Sequence, residues 1–92
     1  MKRVVIDLTH INTPRGMHAY MAYIMNFPSY YGRNLDALYD MLTEISEPTQ
    51  LIIRRPAQLP DEMKALFPRF SLVLHDAQTE NENLQAFVEI VE

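Results

Sequence analysis

A turn that leads directly into an amphipathic helix, within residues 27–43, restricts the fold of this chain more than any other segment. Pro28 and Gly32 mark the turn, and Gly32 is expected to relieve steric strain where the chain reverses. Asn34 follows, and its side chain can accept a hydrogen bond from the free N–H groups of the first helical turn. Spacing of three and four residues then predicts one buried stripe, formed by Leu35, Leu38, Leu42 and Ile45.

Acidic side chains recur every four residues away from this stripe. Asp36, Asp40 and Glu44 form what we call the acidic ridge, with Tyr39 beside it. In an ordinary amphipathic helix such residues are only a solvated face. The helix dipole stabilises an acid in the first turn, such as Asp36, by roughly 0.3–1 kcal/mol. Asp40 lies too far along the helix for that gain, so its placement indicates a partner with concentrated positive charge.

Three apolar segments predict strands. Residues 3–8 are rich in β-branched side chains, which is typical of a strand buried on both faces of a parallel sheet. Residues 50–54 predict a second strand, and residues 84–91 a closing strand. Helical spacing between the strands implies parallel pairing through right-handed crossovers. We therefore expect an α/β fold in one domain, residues 1–92, with helices packed against a three-stranded parallel sheet.

Two further helical segments are predicted. Thr13 and Pro14 fit the N-cap and first position of the first helix. Its stripe is Met17, Met21, Ile24 and Met25, and Pro28 and Gly32 are expected to end it. The run Leu59-Pro60-Asp61-Glu62 is expected to open the last helical segment, with Met63, Leu66, Phe67 and Phe70 on one face.

Pro68 is expected to interrupt or kink that last segment, or to begin a separate final helix. Residues 72–74 alternate like a strand, but the spacing of Phe70, Leu74 and Ala77 favours a helix. Residues 79–83 are polar and predict a loop.

Composition excludes several classes of function. The chain has no cysteine, so disulfides and thiolate–metal sites are excluded and a cytoplasmic location is expected. The three histidines lack metal-site spacing, and we expect no metal and no cofactor. A formal net charge of −4 disfavours direct binding of nucleic acid. No apolar run approaches the roughly 20 residues of a membrane span, and Asp7 ends the N-terminal run too early for a signal peptide.

Residues 30–43 read Tyr-Tyr-Gly-x-Asn-Leu-Asp-Ala-Leu-x-Asp-x-Leu-Thr, which resembles the signature of the barstar family. His18 in the first helix and the run Leu74-His75-Asp76-Ala77 are similar to barstar more loosely. The resemblance implies an intracellular immunity protein, not an enzyme, that inhibits a basic ribonuclease of the secreted type. It also implies a set of partner-binding residues: Tyr30, Asn34, Asp36, Tyr39, Asp40, Thr43, Glu44 and Asp76.

Within that set the resemblance implies distinct roles. Asp40 would be the central phosphate mimic and Asp36 a second anion, while Tyr30 and Tyr39 would be aromatic contacts. Asp76 would add a flanking acid from the last helix. Tyr31 is instead expected to be a packing residue.

Three positions depart from barstar. Arg33 stands where barstar is acidic, and Tyr39 and Ile45 each stand where barstar has tryptophan. These differences leave the identity of the ribonuclease open.

Two other functions are compatible with the sequence. One is a barstar-fold interaction module that binds a different basic protein. The other is a small hydrolase that uses Asp36 and Asp40 as a general acid/base pair. Such a pair needs an apolar enclosure that raises one carboxyl pKa, and the sequence indicates none.

Overall fold

The computed structural model describes residues 1–92 as a three-stranded sheet and three helices. The strand order is β1-β2-β3, and both neighbouring pairs are parallel. This confirms the predicted α/β class and parallel sheet. The elements are β1 (Lys2–Asp7), α1 (Pro14–Met25), α2 (Leu35–Thr43), β2 (Thr49–Pro56), α3 (Asp61–Glu80) and β3 (Leu84–Val91).

The helices cover only one face of the sheet. In β1, Val4 and Ile6 are buried, whereas Arg3 and Val5 on the other face are exposed. The prediction that this strand is buried on both faces was therefore wrong. The reason lies in the strand order, because consecutive right-handed crossovers that move in one direction place every helix on the same side.

The predicted start of α1 is confirmed. Thr13 is the N-cap, and its hydroxyl accepts a hydrogen bond from the Gly16 N–H at 3.0 Å, with Pro14 as the first helical residue. Asn26 caps the end of the helix in the left-handed conformation, with φ 55°, and the loop that holds Pro28 and Gly32 follows as predicted. Ile24, in contrast, lies off the buried stripe and is 39% exposed.

The last helical segment is one continuous helix, α3, with Pro68 inside it. The predicted interruption or separate final helix was therefore wrong, as was a loop over residues 79–80. A helical interpretation of residues 72–74 is confirmed. Proline removes one hydrogen bond, to the Lys64 carbonyl. Core residues on both sides of Pro68 offset that loss by holding the two halves against the sheet, namely Met63, Leu66, Phe67, Phe70, Leu74 and Ala77.

A buried asparagine joins the end of α2 to the end of α3. Asn81, the C-cap of α3, is 7% exposed, and its side-chain amide donates to the carbonyls of Leu42 at 3.0 Å and Ile45 at 2.9 Å. The last carbonyls of a helix have no partner within the helix, so these bonds satisfy groups that burial would otherwise penalise. They also fix the position of α2 beside α3. None of the three helices has the length and apolar character needed to cross a membrane.

Candidate partner-binding surface

The turn before α2 is built by Gly32, Arg33 and Asn34. Asn34 is the N-cap, as predicted, and its Oδ1 accepts from the Ala37 N–H at 2.8 Å. The left-handed residue of the turn is Arg33, with φ 56°, and not Gly32. Gly32 is needed for space, because a Cβ there would lie 3.3 Å from the Cβ of Ala37. Close packing of the turn, rather than a positive φ, explains this glycine.

The acidic ridge is exposed along α2 and its C-cap. Asp36 and Asp40 lie within the helix, and Glu44 follows its last residue. The buried stripe is confirmed, since Leu38 and Leu42 are fully buried and Leu35 and Ile45 pack against the core. The two ion pairs of the chain, Lys2–Glu47 and Arg54–Glu89, use none of the ridge carboxylates. The ridge charges are therefore free to meet a cation from outside the chain.

Helix α3 brings two more carboxylates to Tyr39. Partial burial raises the pKa of the Tyr39 phenol, and the nearby charges of Glu80, Asp76 and Asp40 raise it further. A depression of about 270 Å³ beside Tyr39 is lined by Asp76, Thr79 and Glu80. Acids from two helices thus surround one aromatic ring. We call the ridge together with Asp76 and Glu80 the acidic surface.

Sequence reasoning missed Glu80 because it placed this residue in a loop. Glu80 is the last residue of α3, four positions after Asp76. That four-residue interval matches the one within the ridge and would have identified Glu80 if the helix had been extended. The position of Asp76 itself agrees with the looser similarity at residues 74–77.

A second depression contains Asp40 itself. It measures about 330 Å³ and is lined by Tyr30, Asp40, Met41, Thr43 and Glu44. Tyr30 is 78% exposed, so its ring is available to a partner. The Thr43 hydroxyl lies 3.0 Å from the Tyr39 carbonyl and 3.1 Å from the Asp40 carbonyl and donates within the helix. Asp40 thus shares this depression with Tyr30, and its charge also lies near Tyr39.

Tyr31 has a structural role, as predicted. It is 7% exposed, and its hydroxyl lies 2.7 Å from Nδ1 of buried His18. Burial raises the pKa of Tyr31 to about 12 and lowers the pKa of His18. The pair is therefore uncharged at neutral pH and anchors the turn to α1.

The geometry gives little support to a hydrolase. Asp36 and Asp40 are exposed on the helix surface and lack the apolar enclosure that general acid catalysis requires. No group of three or more His, Asp or Glu side chains is arranged to hold a metal ion. The arrangement is suited instead to binding a positively charged surface.

Comparison with known proteins identifies a family and a relative. Residues 1–91 match the family model described as Barstar (barnase inhibitor). A protein of Bacillus subtilis (strain 168) named "Putative ribonuclease inhibitor YrdF" is 36% identical over 55 residues. That alignment covers 59% of this chain and 60% of the relative, less than two thirds of either.

Proposed function

The chain belongs to the barstar family, and we propose that it inhibits a basic, barnase-type ribonuclease by covering the enzyme's active site with the acidic surface. It acts by binding alone, with no cofactor and no chemical step. We place this action in the cytoplasm, where a ribonuclease destined for secretion must be kept inactive before export.

The observation that carries this proposal is the convergence of unpaired carboxylates from α2 and α3 around Tyr39. A ribonuclease cleft binds a polyanion and therefore concentrates Arg, Lys and His side chains. Carboxylates spaced along a helix can occupy its phosphate subsites. Long-range attraction then speeds association, and charge-assisted hydrogen bonds slow release.

Each residue of the surface has a proposed role. Asp40 lines the depression beside Tyr30 and lies near Tyr39, and it is the central phosphate mimic, with Asp36 as a second anion. Tyr30 and Tyr39 supply aromatic contact area, which is typical of residues that dominate binding energy. The flanking positions contribute rim charge or shape the helix ends, and these are Asn34, Thr43, Glu44, Asp76 and Glu80.

A titration of enzyme activity tests the proposal. A purified barnase-type ribonuclease is assayed on an RNA substrate while the chain is added in increasing amounts. We expect stoichiometric inhibition by a one-to-one complex. A variant carrying Asp40→Asn, Asp76→Asn and Glu80→Gln keeps the side-chain shapes and should inhibit far less.

Two outcomes would contradict the proposal. If the chain in large excess leaves barnase-type ribonucleases active, inhibition of this enzyme class is wrong. If it then binds another basic protein through the same surface, the interaction-module alternative is correct.

A further inference from the structure

A cleft of opposite character to the acidic surface lies between the start of α1, the start of α2 and the middle of α3. It has a volume of about 660 Å³, and three arginines line it, Arg15, Arg33 and Arg69. These are three of the eight Lys and Arg residues of an acidic chain. The two ion pairs of the chain use Lys2 and Arg54, so all three guanidinium groups lack a carboxylate partner.

A buried imidazole also faces the cleft. His18 lines it, is 4% exposed, and has no hydrogen-bond partner within the chain at Nε2. Its Nδ1 lies 2.7 Å from the Tyr31 hydroxyl. A phenol is the better donor and an imidazole nitrogen the better acceptor, so we assign Tyr31 as donor to Nδ1. The proton of the neutral ring is then on Nε2, where it can be donated to an acceptor in the cleft.

The N-terminal residues of two helices line the same cleft. In α1 the Gly16 N–H donates to the Thr13 hydroxyl, and in α2 the Ala37 N–H donates to the Asn34 side chain. The N–H groups of the residues before them in each helix have no acceptor within the helix. Among those residues, Arg15, Leu35 and Asp36 line the cleft. Both helix dipoles place positive potential there.

The remaining lining limits what can bind. Asp36 is the acid among the lining residues, so three formal positive charges face one negative charge. Leu66, Leu72 and Val73 form an apolar wall on the α3 side. Guanidinium groups from three separate segments suit a tetrahedral, doubly charged oxyanion better than a planar carboxylate with a single charge.

We propose that this cleft, which we call the basic cleft, binds a dianionic phosphate group, as free phosphate or as a phosphate monoester. The guanidinium groups and the His18 Nε2–H donate to the phosphate oxygens, and the apolar wall receives the organic part of an ester. The basic cleft shares Asn34 and Asp36 with the proposed ribonuclease-binding residues, but it would bind its anion with no enzyme present.

A titration monitored by NMR tests the site. Inorganic phosphate and adenosine monophosphate are added separately at low ionic strength and about pH 7.5, where phosphate groups are mainly dianionic. We expect saturable shifts at the amides of Arg15 and Leu35 and at the His18 ring. Arg69→Gln should weaken binding about tenfold or more, as expected for the loss of a charge-assisted hydrogen bond.

Arg3→Gln is the matched control, because Arg3 is exposed on the open face of the sheet, away from the cleft. It should change the affinity less than twofold. Equal affinity for the two probes would identify free phosphate, and tighter binding of adenosine monophosphate would identify an ester. Shifts that do not saturate, that spread over all basic residues, or that weaken equally in Arg3→Gln and Arg69→Gln would overturn the proposal. Thermal melting confirms that both variants are folded.

Discussion

Replacing Asp40 with alanine tests the proposed inhibitory surface, because the structure separates its effect on folding from its effect on binding. The Asp40 side chain is exposed, has no ion pair within the chain and lies off the buried stripe. Alanine is the better helix former, and the change also removes repulsion from Asp36 and Glu44, at roughly 0.2–0.5 kcal/mol each. The free energy of unfolding should therefore stay constant or rise, by up to about 1 kcal/mol.

Binding should respond in the opposite direction. Without Asp40, positive charge on the ribonuclease would be buried in the complex with no partner. Truncating one partner of a buried, hydrogen-bonded charge pair at an interface generally costs about 2–5 kcal/mol. That range corresponds to binding weakened roughly 30-fold to several thousandfold.

The assay combines an inhibition constant with a urea midpoint for each variant. Glu44→Ala is the control. It removes the same kind of charge, but from the far end of the ridge, beyond the last helical residue. We expect it to cost less than about 1 kcal/mol in binding, as is usual for rim charges. If Asp40→Ala inhibits as well as the parent chain, or if it unfolds markedly more easily, the reasoning about this surface is refuted.

Four further predictions test the electrostatics and the packing. The rate of association with the ribonuclease, measured by stopped flow, should fall at least about tenfold between low and high salt, while the dissociation rate changes less. A salt-independent association rate would refute steering by the acidic surface. Glu80→Gln should lower the pKa of Tyr39, as followed by NMR, because the Glu80 charge helps to raise it; an unchanged value would mean that the two residues are not close. Burial lowers the pKa of His18 below 6.5, so the urea midpoint should fall as the pH drops below about 6.5 and level off below the pKa of His18 in the folded protein. His18→Gln should remove this pH dependence of the urea midpoint, whereas His10→Gln should keep it. Asn81→Leu should lower the free energy of unfolding by about 1–3 kcal/mol, since it removes the buried amide that donates to the carbonyls of Leu42 and Ile45, and an unchanged urea midpoint would contradict that role.

Features that depend on interactions between residues close in sequence could be predicted from the sequence alone. The N-caps Thr13 and Asn34 act within three residues of their partners, so their sequence positions alone predicted where two helices begin. The stripe at Leu38 and Leu42 depends only on helical periodicity. Helical segments between apolar runs were sufficient to predict parallel strands, because short connections cannot join parallel neighbours. The acidic ridge was visible for the same reason, as a repeat along one helix.

Tertiary structure decided what depends on contacts distant in sequence. Tyr39 meets Asp76 and Glu80 only because α3 packs beside α2, held there by the Asn81 amide 39 residues from Leu42. Helix α3 continues through Pro68 because burial on both sides outweighs one missing hydrogen bond. The helix propensity of the local sequence does not include this burial, so the sequence alone did not predict the continuous helix. The basic cleft likewise gathers arginines from three separate segments. Periodicity assigns residues to a face of their own element, whereas which faces meet is decided by packing of the whole chain.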